Sequence, residues 1–174
     1  MSYHFVAENE KRYFTRRVPN LPEKQLMRDS KIISQIIRAW DVDGDAEKVK
    51  EIFFNKCRLL SNPRYWEVLR TVWVIAGKTE NADEFRHYLK STRPCKGWFM
   101  TLEDAEALDK MEFPLTVYRA YDKEPDPGIS WTTDKQWCEE YAAGKGRKVK
   151  SRLVERKDVY AYISRRGEEE IMIL

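Results

Sequence analysis

The sequence is poor in the residues that build disulfide frameworks and metal centres. Its 174 residues include three cysteines and two histidines, and no two of the cysteines lie close together along the chain. An odd number of widely spaced cysteines is not the pattern of a disulfide-stapled secreted domain or of a zinc knuckle. We therefore expect no structural disulfide and no metal, and we expect the thiols to be reduced.

Long apolar runs are also missing. No stretch approaches the roughly 20 apolar residues that a membrane-spanning helix needs, and the opening MSYHFVAENEKRYF lacks the basic-then-apolar layout of a signal peptide. The net charge is only +3 although 35% of the residues are charged, so nucleic acid is possible but not favoured as a partner. We expect a cytoplasmic protein without a membrane partner, in the host-cell cytoplasm if a virus or mobile element encodes it.

Helical periodicity dominates the first part of the chain. Apolar residues recur at spacings of three and four, which is typical of one-sided amphipathic helices, at Leu26, Ile33, Ile36, Ile37 and Trp40 and again at Val49, Ile52, Phe53, Leu59 and Leu60. Capping patterns predict three further helices. They begin after Asn62, with Pro63 at the first helical position, after Asn81 and after Thr101.

The pattern changes to short β-type segments near residues 110–114. The segments PLTVYRAY, GISWTT, KVKSRLV, DVYAYI and EIMIL are rich in β-branched and aromatic residues. Between them, TDKQWCEEYAA reads as a helix with a capping box at Thr133 and Gln136. We predict an α+β protein with a helical lobe at 1–112 packed on a mostly antiparallel sheet at 113–174.

Two motifs invite functional interpretations that the residues do not favour. DVDGDAEKVKEI resembles a calcium loop, but its glycine stands at the fourth position and an isoleucine replaces the terminal glutamate. We predict a polar turn before a helix instead. GKGRKVKSR clusters positive charge, and we predict an exposed hairpin or edge strand kept soluble by that charge.

Three consecutive glutamates precede the last apolar segment, in RRGEEEIMIL. Because side chains alternate along a strand, Glu168 and Glu170 share one face and Glu169 lies on the other. Two carboxylates on one face at the start of a strand suit a reaction in which one stabilises a developing cation and the other moves a proton.

Suitable companions for the glutamates occur upstream, in order. Arg119 lies near the end of the first predicted strand, in VYRAY, and Ser130 and Thr132 open the second, in GISWTT. This order of motifs resembles the arginine–serine–glutamate group of ADP-ribosyltransferases, in which an arginine is followed by a Ser-x-Ser/Thr stretch and then by E-x-E before an apolar strand. The resemblance covers about the last 60 residues and implies an ADP-ribosyltransferase-like split β-sheet.

The resemblance implies transfer of ADP-ribose from NAD to a macromolecular acceptor, with a protein arginine as the expected target and with no metal. Glu170 then stabilises the oxocarbenium-like ribose, Glu168 orients or deprotonates the acceptor, and Ser130 donates a hydrogen bond to Glu170. Arg119, with Ser130 and Thr132, then holds the dinucleotide, because a guanidinium forks onto pyrophosphate oxygens.

The loop YISRRG corresponds in place to the segment of the family that contacts the target protein, which makes Tyr162, Arg165 and Arg166 candidates for substrate contact. By analogy, such a compact transferase is expected to act as an effector. Two alternatives stay open: a catalytically silent binding protein with the same scaffold, and a helical regulator that binds nucleic acid.

Overall fold

A computed structural model describes residues 16–18, 20–165 and 168–174 of the chain. It is an α+β structure. Its α-helices are α1 (Glu23–Asp41), α2 (Ala46–Lys56), α3 (Asn62–Ala76), α4 (Ala82–Leu89), α5 (Leu102–Asp109) and α6 (Lys135–Lys145). Its strands are β1 (Leu115–Tyr121), β2 (Ser130–Thr132), β3 (Lys148–Val154), β4 (Ala161–Arg165) and β5 (Glu168–Met172). Single 3-10 turns lie at Cys57–Leu59, Thr79–Asn81, Lys96–Phe99 and Arg156–Asp158.

The chain divides into two compact units. The first contains the described residues up to Gly77 together with His87–Phe99, and the second contains Lys78–Arg86 and Met100–Leu174. The predicted boundary at 112/113 therefore falls inside the second unit. Helix α5 and the Lys78–Arg86 segment belong with the sheet.

The first unit is built from the amphipathic helices that the apolar spacing predicts. Helix α1 buries its isoleucines at positions 32, 33, 36 and 37, and α3 buries Trp66 and Leu69 completely. Burial of each such side chain contributes about 1.5 to 3 kcal/mol relative to exposure. The aromatic residues of α3 are therefore core residues.

A buried carboxylate fixes the start of α3. Asp29 on α1 is 2% exposed and accepts hydrogen bonds from the backbone N–H and the hydroxyl of Ser61, at 3.0 and 2.6 Å. It also accepts one from Gln25 at 2.8 Å. These bonds compensate the burial of the charge and join α1 to the beginning of α3.

The predicted helix starts are correct to within a residue or two. Thr101 caps α5 as predicted and accepts from the backbone N–H of Asp104. In contrast, Ser61 rather than Asn62 is the N-cap of α3. Likewise Asp134 rather than Thr133 caps α6, because the Asp134 carboxylate accepts from the N–H of Trp137 at 2.8 Å.

The second unit contains a five-stranded antiparallel sheet in the order β3-β1-β2-β5-β4. The second part of the basic segment, from Lys148, forms β3, a largely exposed edge strand as predicted, while its first residues end α6. Charged side chains on an edge strand oppose pairing with other chains.

One face of the sheet carries the apolar core of this unit. The core joins the sheet to α5 and consists of buried Leu108, Val117, Val154, Val159, Tyr162, Ile171 and Ile173. Helix α5 is fixed to β4 by Asp104, which is 1% exposed and accepts from the N–H and the hydroxyl of Ser164 at 3.0 and 2.9 Å. In the described part of the chain no helix is both long and apolar enough to cross a membrane.

Candidate functional site

The strands that carry the predicted site residues are neighbours in the sheet. Strand β1 carries Arg119, β2 carries Ser130 and Thr132, and β5 begins with the glutamates. The sheet order places β2 between β1 and β5. Residues that lie about 40 positions apart along the chain are thus separated by single strand spacings of about 4.8 Å.

The strand register places Thr132 directly opposite Glu170. Thr132 also pairs with Tyr118 on β1, and Glu170 pairs with Ile163 on β4. Directly opposite residues have their side chains on the same face. We call this side of the sheet the Glu170 face.

Thr132 is suited to support the Glu170 carboxylate. Its side chain is 8% exposed, and its hydroxyl oxygen accepts from the backbone N–H of Asp134 at 3.1 Å. That bond uses the oxygen and leaves the hydroxyl proton to be donated. Glu170 on the adjacent strand is half-buried and lies directly opposite Thr132.

The predicted hydrogen bond from Ser130 to Glu170 requires correction. Ser130 pairs with Met172, not with Glu170. It therefore lies two residues along β2 from the position opposite the carboxylate, which is about 7 Å. The backbone carbonyl of Ser130 accepts from Arg119 Nη1 at 2.5 Å. The hydroxyl that lies opposite Glu170 is that of Thr132.

Arg119 lies on the opposite side of the sheet from Glu170. It follows Tyr118 on β1, and alternation puts it on the face of Trp131 and Ile171. We call this side the Arg119 face. Trp131 packs there against the apolar core.

The guanidinium of Arg119 is directed at groups of the protein itself. Its side chain is 8% exposed, and the Asp126 carboxylate beside it is 3% exposed. Nε and Nη2 donate to the two Asp126 oxygens at 2.6 and 3.2 Å, and Nη2 also donates to the Thr79 hydroxyl at 2.8 Å. With the bond to Ser130, four donor contacts go to internal acceptors. This differs from the predicted role of holding the NAD pyrophosphate.

Asp126 is the centre of this charged cluster. Its burial raises its pKa, but hydrogen bonds from Arg119, from the Gly128 N–H and from Lys150 outweigh that effect and lower the pKa to about 2. Lys150 lies 3.2 Å from Asp126 and 2.9 Å from Glu124. The carboxylate is therefore ionised at neutral pH, and the cluster holds β1, β3 and the segment before β2 together.

Gly128 is required by the same cluster. A Cβ atom at this position would lie 1.6 Å from Nη2 and 1.9 Å from Cζ of Arg119. No side chain larger than hydrogen can occupy that space while the guanidinium stays in place. Asp126, Gly128 and Thr79 were not among the predicted site residues, and the sequence signal for the first two is the turn-forming PDPG before β2.

Glu169, predicted to lie on the face opposite Glu168 and Glu170, has a defined environment on the Arg119 face. Its side chain is exposed and accepts from the Thr133 hydroxyl at 2.7 Å. Nearby, burial raises the pKa of Tyr162, and the charges of Glu169 and Asp104 and a hydrogen bond with Glu169 raise it further.

Tyr162 differs from the prediction of an exposed substrate contact. It is 4% exposed and belongs to the apolar core, because alternation along β4 turns it to the Arg119 face. Arg166 lies outside the residues that the structure describes, and so do the side chains of Arg165 and Glu168. Their predicted roles stay predictions.

Two observations concern other chemistry. Among the described residues no cluster of three or more His, Cys, Asp or Glu side chains could hold a metal ion. Cys138 on α6 is buried, and this burial raises the pKa of its thiol, which disfavours the nucleophilic thiolate at neutral pH.

The chain matches no known protein family, no curated protein and no solved structure at a significant level.

Proposed function

We propose that the protein is an NAD-dependent mono-ADP-ribosyltransferase that modifies a macromolecular acceptor, with a protein arginine as the expected target. The observation that carries the proposal is the neighbouring arrangement of β1, β2 and β5, with Thr132 directly opposite Glu170. This arrangement supports Thr132 and Glu170 as one group on the Glu170 face, while Arg119 lies on the opposite face. The ADP-ribosyltransferase-like sheet and the cytoplasmic location are part of the same proposal.

The proposed reaction breaks the bond between ribose C1′ and the nicotinamide nitrogen. Nicotinamide leaves with the bonding electrons as a neutral molecule, and positive charge develops on the ribose. The ionised Glu170 carboxylate stabilises that charge, and Thr132 orients it. A well-placed group of this kind contributes roughly 3 to 4 kcal/mol to the transition state.

The acceptor then attacks C1′. A guanidinium nitrogen of the acceptor forms the new bond to C1′ and loses a proton to Glu168, the second carboxylate of the pair. Glu168 precedes Glu170 by two residues in the sequence, and the alternation of side chains along a strand predicts that both lie on one face. Both charges then stand where a cationic acceptor approaches.

Arg119 has a positioning role in this proposal. Its bond to the Ser130 carbonyl connects β1 to β2, and its ion pair with Asp126 fixes the segment that leads into β2. The guanidinium thereby sets where Thr132 lies relative to β5. In this proposal the Arg119 guanidinium does not bind the pyrophosphate of NAD.

The test is labelling of lysate proteins with a tagged NAD. The wild-type protein and Glu169→Gln are expected to label an acceptor, whereas Glu170→Gln is expected to lose at least about 100-fold in rate, the effect of removing one transition-state group. Glu169→Gln is the matched control, because it removes the adjacent charge on the other face. Equal labelling by Glu170→Gln and wild type contradicts the proposal.

A second candidate is a binding protein with the same scaffold and no turnover. The internal contacts of Arg119 favour it, since the guanidinium is not presented to a dinucleotide. It predicts that no nicotinamide is released from NAD by the wild-type protein, even where an acceptor is bound.

A further inference from the structure

The first unit contains an open cavity of about 750 Å³. It is formed by the end of α2, the following 3-10 turn, Tyr65 of α3, the end of α4 and residues 90–93. Cavities that bind small ligands have volumes of about 300 to 1,000 Å³. Its size therefore suits a small molecule, and we call it the basic pocket.

Positive charge dominates the lining of the basic pocket. Arg58, Lys90 and Arg93 contribute cations and His87 an imidazole, and no Asp or Glu is among the lining residues. Arg58 and Lys90 are exposed, and within the described part of the chain neither side chain forms an ion pair. An uncompensated group of cations around a concave surface attracts anions.

Arg93 is held in place without being neutralised. Its Nη1 donates to the Leu60 carbonyl at 3.0 Å and its Nη2 to the Arg58 carbonyl at 3.1 Å. The guanidinium carbon lies 4.6 Å from the centre of the Tyr65 ring. Carbonyl and ring contacts fix the position of this cation, while its full charge continues to act on the pocket.

Aromatic rings form another part of the pocket wall. Phe54 and Tyr88 are stacked, with ring centres 4.4 Å apart and planes inclined by 17°, and both are half-buried. Tyr65 donates its hydroxyl to the Tyr88 carbonyl at 2.9 Å. The two rings cover each other's facing sides, so a ligand ring would pack against the rest of the pair; stacking of a nucleic-acid base on an aromatic side chain contributes about 1 to 3 kcal/mol. The pocket thus combines a surface for a ring with cations for a phosphate.

The pocket has the properties of a binding site rather than of a nucleophilic one. Cys57 lines it, but the thiol is buried and its burial raises its pKa. The thiolate is therefore scarce at neutral pH. Ser91 and Thr92 add hydroxyl groups to the same wall, which supplement the cations as hydrogen-bond donors to an anion.

We propose that the basic pocket binds a small phosphorylated aromatic ligand of the nucleoside monophosphate class. Stacking on the Phe54 and Tyr88 wall holds the base, and Arg58, Lys90 and Arg93 hold the phosphate. The inference is independent of the proposed transfer reaction, because every residue involved belongs to the first unit.

The test is calorimetric titration of the full chain with adenosine monophosphate, adenosine and inorganic phosphate. The monophosphate is expected to bind with a Kd below about 1 mM. Adenosine and phosphate are each expected to bind at least about ten-fold more weakly, since each lacks half of the interaction. Equal binding of inorganic phosphate and the monophosphate, or no binding of the monophosphate at millimolar concentration, overturns the proposal.

Variants locate the binding. Arg58→Ala and Lys90→Ala are each expected to weaken monophosphate binding about ten-fold, since each removes one charge-assisted contact. Lys31→Ala removes the same charge from an exposed position on α1 outside the pocket, and is expected to change binding by less than two-fold. Glu170→Gln is expected to leave binding unchanged, which separates this site from the transferase. An affinity unaffected by Arg58→Ala and Lys90→Ala overturns the assignment, as does binding of an RNA oligonucleotide without binding of the monophosphate.

Discussion

Replacing Asp126 by Asn tests the charged cluster that organises the second unit. The substitution keeps the size and shape of the side chain but removes its charge. Arg119, 8% exposed, then keeps a buried charge without its carboxylate partner. Removing one member of a buried ion pair typically costs about 3 to 5 kcal/mol.

The pKa of Asp126 gives an independent magnitude. The pKa is about 2 in the folded protein, against an ordinary value of 3.8. That difference corresponds to about 2 kcal/mol in favour of the folded state at neutral pH. Since Asn still accepts one of the hydrogen bonds, we expect Asp126→Asn to lower the free energy of unfolding by about 2 to 3 kcal/mol.

The sign of the pH dependence follows from the lowered pKa. The unfolded chain binds the proton more readily, so the stabilisation is complete well above pH 3.8 and is lost as the pH falls towards 2. The difference between wild type and Asp126→Asn is therefore expected to be largest at pH 7. By pH 3 it falls to about half.

Urea denaturation at pH 7 and pH 3 measures both quantities. Asp122→Asn is the matched control, because Asp122 is 63% exposed and pairs with Arg147 on the surface; we expect it to change stability by less than about 1 kcal/mol. An Asp126→Asn protein as stable as the control at pH 7 would refute the reasoning. A difference from wild type that stays the same at pH 3 would do so as well.

Two further predictions concern the packing of each unit. Gly128→Ala is expected to lower the free energy of unfolding by at least about 3 kcal/mol in urea denaturation, because the new Cβ would displace the Arg119 guanidinium. The control Gly144→Ala has open space around its Cβ on α6 and is expected to raise stability by up to about 1 kcal/mol. Equal effects of the two substitutions would contradict this prediction. Burial, the main cause, raises the pKa of Tyr65 to about 12 from 10.0, so its contribution to stability is lost as the pH rises through that range. In an ultraviolet titration of tyrosine ionisation, Tyr65→Phe is expected to remove one tyrosine from the step near pH 12. If the substitution instead removes a tyrosine that ionises near pH 10, the burial argument is wrong.

The helices and the positions of the strands were predictable because they depend on local pattern. The period of the isoleucines in α1 predicts its buried face, and the β-branched run KVKSRLV predicts β3 residue for residue. Helix starts were less certain, since neighbouring polar residues such as Ser61 and Asn62 compete to cap the same helix.

The candidate site could be predicted only in part, because strand register is a long-range property. A shift of register along β2 decides whether Ser130 or Thr132 lies opposite Glu170, and no local pattern around either residue contains that information. The ion pair between Arg119 and Asp126 could not be predicted from local pattern either, since the turn that brings Asp126 to Arg119 depends on the whole fold. Likewise the face on which Tyr162 lies depends on the alternation of β4.

Release of nicotinamide from NAD is the most direct measurement of the central claim, which is that Glu170 and Thr132 on adjacent strands form a reactive pair. The account predicts release by the wild-type protein, a loss of at least about 100-fold in Glu170→Gln and a smaller loss in Thr132→Val than in Glu170→Gln, with Ser130→Ala closer to wild type. No release by the wild-type protein in the presence of acceptor, or undiminished release by Glu170→Gln, would contradict it.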